Sequence, residues 1–156
     1  MANFKTNIAT AQDSLTISSR VEREKITGDV RWIEAVYTAT GTEAATGDTI
    51  SICDVPRGAI VLPEQIRIAN EASMGGSDLA LPLLGDAGDA DRYSATSVSI
   101  HSSNAAVQSV TPNVAASVIP RYVVTEANKR IVATFSRTNA MTAGKKIVFF
   151  VPYIVP

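Results

Sequence analysis

The chain has 156 residues, a formal net charge of −1 and a sequence pI of about 5.8, which fits a single domain without strong charge. This balance excludes a protein that attracts nucleic acid or an anionic membrane through charge, so we expect neither as a partner. One cysteine, Cys53, excludes an internal disulfide, and the longest apolar run, residues 147–156, is too short to span a bilayer as a helix.

The apolar composition favours strands over helices. Val and Ile together number 30, whereas Leu numbers only 6. Branched side chains are stiff at the first torsion and pack well on a pleated surface, while helical proteins favour Leu. The composition therefore predicts an all-β protein.

Residues 1–30 differ from the rest of the chain. They are polar, rich in Thr, Ser and Asn, and carry a charged stretch at residues 20–25. They form either a solvated terminus or an N-terminal arm that orders on a partner. The remainder, residues 31–156, is predicted to be one β domain.

Strand signals recur at short intervals beyond residue 30, with Gly, Pro and Asp turn signals between them. Pro63 predicts a bend inside the third strand. This spacing is typical of an antiparallel β-sandwich or barrel. The eight predicted strands are residues 32–40, 48–55, 59–69, 78–84, 93–101, 117–125, 129–136 and 145–155.

The last predicted strand is apolar on both faces. In a two-layer sandwich one face of a strand is usually wet. Either a loop or the arm covers this strand, or the strand faces another subunit. One face carries Ile147, Phe149, Val151 and Tyr153, and the other carries Val148, Phe150, Pro152 and Ile154.

The residues of catalysis are scarce. The only histidine, His101, ends a predicted strand beside a Ser-rich loop, and Cys53 lies mid-strand with no base near it in sequence. We read Cys53 as a small core residue and assign no catalytic residue. A hydrolase on a β scaffold therefore ranks last among the functions considered.

One acidic segment, residues 85–92, places Asp86, Asp89 and Asp91 close together. Calcium takes several oxygen ligands from such loops, but the spacing does not match the helix-flanked calcium loop. A solvated acidic turn is the favoured interpretation, so no metal and no cofactor are expected.

The order of these features resembles the small head decoration, or cement, proteins of tailed bacteriophages, which are jelly-roll proteins. The resemblance covers roughly residues 30–156. It rests on short turn signatures that precede an apolar final strand. These are residues 47–50 (GDTI), 55–59 (VPRGA), 84–86 (LGD), 89–93 (DADRY) and 142–146 (TAGKK).

The resemblance implies a jelly-roll-like antiparallel β-sandwich that binds the outer capsid surface as a homotrimer and stabilises contacts between capsomers. The partner would be the major capsid protein of the same virus, and the chain would be made in the bacterial host cytoplasm. A carbohydrate- or receptor-binding jelly-roll module of a virion or tail is the alternative. Candidate capsid contacts in the arm are Phe4, Ile8, Leu15, Ile17 and Arg20, and candidate subunit-interface residues are Phe149, Phe150 and Tyr153.

Overall fold

The structure is a computed structural model, and it describes residues 29–42, 48–75, 80–81, 83–96, 98–100, 105–113, 122–125, 129–135 and 140–155. The five candidate contacts of the arm and His101 lie outside these residues. Within the described part, no helix is long and apolar enough to cross a membrane.

The described residues form eleven strands and one turn of 3-10 helix at Pro63–Gln65. Every strand pairing is antiparallel. The strands are β1 (Asp29–Thr38), β2 (Thr49–Val55), β3 (Ile60–Val61), β4 (Arg67–Asn70), β5 (Ala80–Leu81), β6 (Leu83–Gly85), β7 (Val98–Ser99), β8 (Ala106–Ser109), β9 (Tyr122–Val123), β10 (Lys129–Thr134) and β11 (Lys146–Val155).

Strand β11 organises the larger sheet, which has six strands. Strand β1 runs along one side of β11 over ten residue pairs, from Asp29 opposite Val155 to Thr38 opposite Lys146. Strands β4 and β3 share the other side of β11, with β8 beyond β4 and β9 beyond β3. A three-stranded sheet, β2-β10-β6, forms the second layer, and β5 pairs with β7.

Side chains from both layers meet in one hydrophobic core. The alternation along β11 places Ile147, Phe149 and Val151 inward, each at most 1% exposed. From the second layer, Ile131 and Leu84 are equally buried. Burial of each such side chain stabilises the fold by about 1.5–3 kcal/mol. The prediction of an all-β, jelly-roll-like sandwich is confirmed.

Three predicted strands are interrupted. Within the predicted strand 78–84, β5 and β6 belong to different sheets. Pro63 starts the 3-10 turn, because its fixed φ suits the first turn and it has no N–H to donate to a ladder, so residues 59–69 divide into β3 and β4. Residues 93–96 form a turn instead of a strand. The Tyr93 N–H donates to the Leu84 carbonyl at 2.8 Å, and the Leu84 N–H donates to Ser94 Oγ at 2.6 Å. These bonds hold residues 84–94 in a tight loop, and β7 begins only at Val98.

Candidate interaction surface

The larger sheet has an inner face on the core and an outer face that points away from it. Residues directly opposite each other on paired strands share a face. Ala35 lies opposite the core residue Phe149, so the even-numbered residues of β1 point outward together with Val148 and Phe150. We call this surface the outer face. Its apolar members are Val30, Trp32, Val36, Ile60, Ala69, Val107, Val123, Val148, Phe150, Pro152 and Ile154.

The largest exposed apolar side chains of the described residues all lie on the outer face. Trp32 is 54% exposed and Val107 is 70% exposed, and the other three are half exposed. Val107 belongs to the face because it lies opposite Ala69, and Val123 belongs because it lies opposite Ile60. A single exposed apolar residue is ordinary, but five on one sheet face indicate a surface made for contact.

The outer face is broad and carries few charged side chains among the described residues. It is four strands wide and, along β1 and β11, ten residues long, which corresponds to about 19 Å by about 33 Å at its widest. Lys146 lies at one end of the face, opposite Thr38. Glu34 and Arg67 flank Phe150 on its two neighbouring strands. The Arg67 guanidinium already makes a hydrogen bond within the chain, since its Nη1 donates to the Ile66 carbonyl at 3.1 Å.

Strand β1 also forms an edge of the sheet. Among the described strands it pairs with β11 alone, so the backbone along its other side forms no ladder with a described strand. Ten residues of edge backbone can template another strand, and charged side chains limit such pairing. Asp29, Arg31 and Glu34 are exposed on β1 and provide this protection.

The three predicted subunit-interface residues are divided between the two faces. Phe149 is 1% exposed and Tyr153 is 9% exposed, and both point into the core of their own chain. Phe150 lies half-buried on the outer face. Both faces of this strand are apolar in the sequence, so the sequence alone does not show which of the three points inward. The register of β11 against β4 and β1 determines it. Their role between subunits stays a prediction.

Sequence reasoning missed Trp32 and Val36 as surface candidates. The available signal is that β1 is apolar on both faces, as β11 is: Ile33, Ala35 and Tyr37 pack against the core while Val30, Trp32 and Val36 are exposed. Val107 had no such signal, because it lies in residues 102–116, whose small polar composition predicts a long loop with at most one short strand.

The acidic segment is a turn, and ion pairs with Arg92 and with Lys129 of β10 stabilise it. Asp86 is 3% exposed, and its Oδ2 lies 2.6 Å from Arg92 Nε and 3.5 Å from Lys129 Nζ. Its Oδ1 accepts a hydrogen bond from the Gly88 N–H at 2.9 Å. Two cations already neutralise this carboxylate. In the described part of the chain, no group of three or more His, Cys, Asp or Glu side chains is arranged to hold a metal ion.

Asp89 and Asp91 interact at the tip of the same turn. Interaction between their carboxyl groups lowers the pKa of Asp89 and raises the pKa of Asp91. The Asp91 carbonyl accepts a hydrogen bond from Asn113 at 3.0 Å, and its N–H faces Asp89 Oδ1 at 3.4 Å. These contacts fix the turn, and the two carboxylates share the charge at its tip.

A shallow groove of about 260 Å³ lies over β2 and β10. It is lined by Ser51, Ile52, Cys53, Asp54 and Arg130. Arg130 binds Asp54 with two bonds of 2.7 Å each, which lowers the pKa of that carboxyl. Burial, with a smaller effect of Asp54, raises the pKa of the Cys53 thiol to about 11. The thiol is therefore neutral near pH 7 and a poor nucleophile.

The fold and these surfaces define a jelly-roll-like β-sandwich with an apolar sheet face that is exposed among the described residues. No family model matches the chain, and no curated protein sequence matches it. Two solved structures are similar. A chain of the cyanophage Pam1 capsid asymmetric unit is 25% identical with a TM-score of 0.56, and the match covers 83% of this chain and 86% of that one. A chain of the capsid of Ralstonia phage GP4 is 18% identical with a TM-score of 0.59, with the same coverage.

Proposed function

We propose that the chain is a structural protein of a tailed-phage virion that binds the outer surface of the capsid as a homotrimer and stabilises the contacts between capsomers. The observation that carries this proposal is the similarity to the Pam1 capsid chain, at 25% identity over 83% of the present chain. The partner is the major capsid protein of the same virus, and we propose no catalytic activity, no cofactor, no nucleic acid and no membrane.

The coverage values support a small accessory component. The match takes in 83% of this chain and 86% of the Pam1 chain, so the two chains have nearly the same length. The similarity is therefore to most of a small capsid chain rather than to one domain of a much larger chain. A chain of this size suits attachment to a shell that larger proteins build.

The described surfaces fit an assembly role better than a chemical one. The outer face offers a broad apolar contact area. The groove over β2 and β10 instead contains the neutral thiol of Cys53 and the ion pair in which Arg130 and Asp54 neutralise each other. A trimer would present each contact three times. Once the first contact is made the others form at a high effective concentration, so contacts that are weak one by one give tight binding together. The arm, with Phe4, Leu15 and Ile17 among its candidate contacts, would extend the reach of each subunit across the shell.

A carbohydrate- or receptor-binding module of a virion or tail is the second candidate, and the exposure of Trp32 is the observation in its favour. Exposed indole rings can stack on sugars. On the outer face Trp32 lies between Val30 and Glu34 along β1 and opposite Pro152 on β11. Among these neighbours only Glu34 has a side chain that can hydrogen-bond a sugar, so the surface favours an apolar partner. Specific binding on a glycan array, lost in Trp32→Ala, would replace the capsid proposal.

Shell stability tests the proposed function. Empty shells of the same phage that lack this protein are heated with and without a saturating amount of it, and shell opening is followed by light scattering. The proposal expects opening at a higher temperature with the full-length chain and a smaller rise with a chain lacking residues 1–25. An unchanged opening temperature with a well-folded full-length chain would contradict capsid stabilisation.

A further inference from the structure

We propose that residues 1–28 of the chain itself cover the outer face when the protein is free in solution. The outer face carries five large apolar side chains that are 45–70% exposed in the described structure. The pattern of the last strand leaves three kinds of cover open: a loop of the chain, its own arm, or a second copy. The position, length and composition of the segment favour the arm.

The segment joins the sheet at the margin of the outer face. Residue 28 is bonded to Asp29, which pairs with Val155 at one end of β1 and β11. The next residue, Val30, is the first outward-facing member of the exposed row that continues to Trp32 and Val36. The segment therefore starts beside the outer face, with no described strand between the two.

The segment is long enough for the task. Twenty-eight extended residues span up to about 90 Å, whereas the outer face measures about 33 Å by about 19 Å. The chain can cross the face along its length and return. No insertion or rearrangement of the described strands is required.

The segment also has suitable side chains and an advantage over a second copy. Its large apolar residues are spread along its whole length rather than clustered, as needed to cover a broad flat surface. A covalently tethered segment acts at an effective concentration in the millimolar range, which a separate molecule does not reach in dilute solution. These residues are Met1, Phe4, Ile8, Leu15, Ile17, Val21 and Ile26.

The fluorescence of Trp32 reports directly on whether the outer face is covered, because Trp32 is the only tryptophan of the chain. It lies on the outer face and is 54% exposed in the described structure. Acrylamide quenching of its fluorescence is measured for the full-length protein without shells, for a chain lacking residues 1–25, and for the double variant Leu15→Ser, Ile17→Ser. The double variant keeps the chain length, so it remains informative if the truncated chain fails to fold. The matched control is Asn7→Ser, Ser18→Ala, which changes two polar residues of the same segment.

The proposal expects a shielded indole in the full-length protein and in the control. Truncation should raise the quenching constant by about twofold and move the emission to longer wavelength, as expected for an indole that gains contact with water. The double variant should move in the same direction. Far-UV circular dichroism confirms that each variant keeps its strands.

Two results would overturn the proposal. One is a quenching constant that stays the same after truncation and in the double variant. The other is shielding that disappears on dilution of the full-length protein, which would assign the outer face to a second copy. Since no capsid is present in the experiment, its result is independent of whether the protein binds shells.

Discussion

The guanidinium of Arg92 lies 2.6 Å from the buried carboxylate of Asp86. The same guanidinium stacks over the ring of Tyr122, with its carbon 4.6 Å from the ring centroid. Tyr122 in turn meets Tyr93 edge to face, with centroids 5.7 Å apart. With Lys129 on β10, this cluster fastens the loop of residues 84–94 to both layers of the sandwich.

Replacing Asp86 with Asn should destabilise the fold, because it removes the buried carboxylate that Arg92 Nε meets at 2.6 Å and Lys129 Nζ meets at 3.5 Å. We expect a loss of about 3 kcal/mol in the free energy of unfolding, measured by urea denaturation. The matched control is Asp54→Asn, which breaks the exposed pair with Arg130 and should change stability little. Equal losses for the two variants would show that the Asp86 cluster carries no special stability.

Gly85→Ala should be at least as disruptive. A Cβ at this position would collide with the carbonyl oxygen of Asp89 and the backbone of Ala90, neither of which can move without breaking the turn. We expect a loss of about 3 kcal/mol or failure to fold. At Gly88 a Cβ would make an ordinary contact of 3.4 Å with Asp86 Oδ1, so Gly88→Ala is the control that should fold. A stable Gly85→Ala protein would contradict the geometry of this turn.

The neighbours Phe149 and Phe150 test which face of β11 is inside. Phe149→Ala should cost about 3–5 kcal/mol, because a fully buried ring leaves a cavity. Phe150→Ala should cost less than half as much, since that ring is half-buried on the outer face. Chemical denaturation of the two variants, side by side, decides the matter. A larger loss for Phe150→Ala would reverse the assignment of the faces.

Cys53 should react slowly and only at high pH. Burial raises its pKa from the ordinary value of 9.0 to about 11, so the folded state keeps the thiol protonated while the unfolded state ionises. The group therefore leaves stability unaffected below pH 9 and lowers it as pH rises from 9 to 11. At pH 9, iodoacetamide should alkylate the native protein roughly 50-fold more slowly than the urea-unfolded chain. Equal rates would contradict the burial of this thiol.

Much of the sandwich can be predicted from the sequence because alternation and turn residues act locally. The alternation of residues 48–55 places Ile50 and Ile52 on one face of a strand, and the structure buries Ile50. A register shift between Ile131 and Val132, where β10 pairs with β2, leaves Ile52 and Cys53 both partly buried. Such a bulge depends on the partner strand, so the alternation of β2 alone does not reveal it.

The surfaces were harder to predict because they depend on contacts between distant residues. The sequence predicts a solvated Asp86, yet its carboxylate is buried. It lies 3.5 Å from Nζ of Lys129, which is far away in sequence. Phe149 and Phe150 are adjacent and chemically alike, and only the pairing of β11 with β1 and β4 determines which one faces the core. The same pairing brings Val107 and Trp32 onto one face.

Mass in solution combined with co-sedimentation tests the central claim most directly. The purified chain of 16.5 kDa is analysed by sedimentation equilibrium and then mixed with empty shells of its phage. The account predicts a particle of three times the monomer mass that pellets with the shells. An excess of nucleic acid should not release the protein from the shells. A monomer that stays in the supernatant when the shells pellet would contradict it.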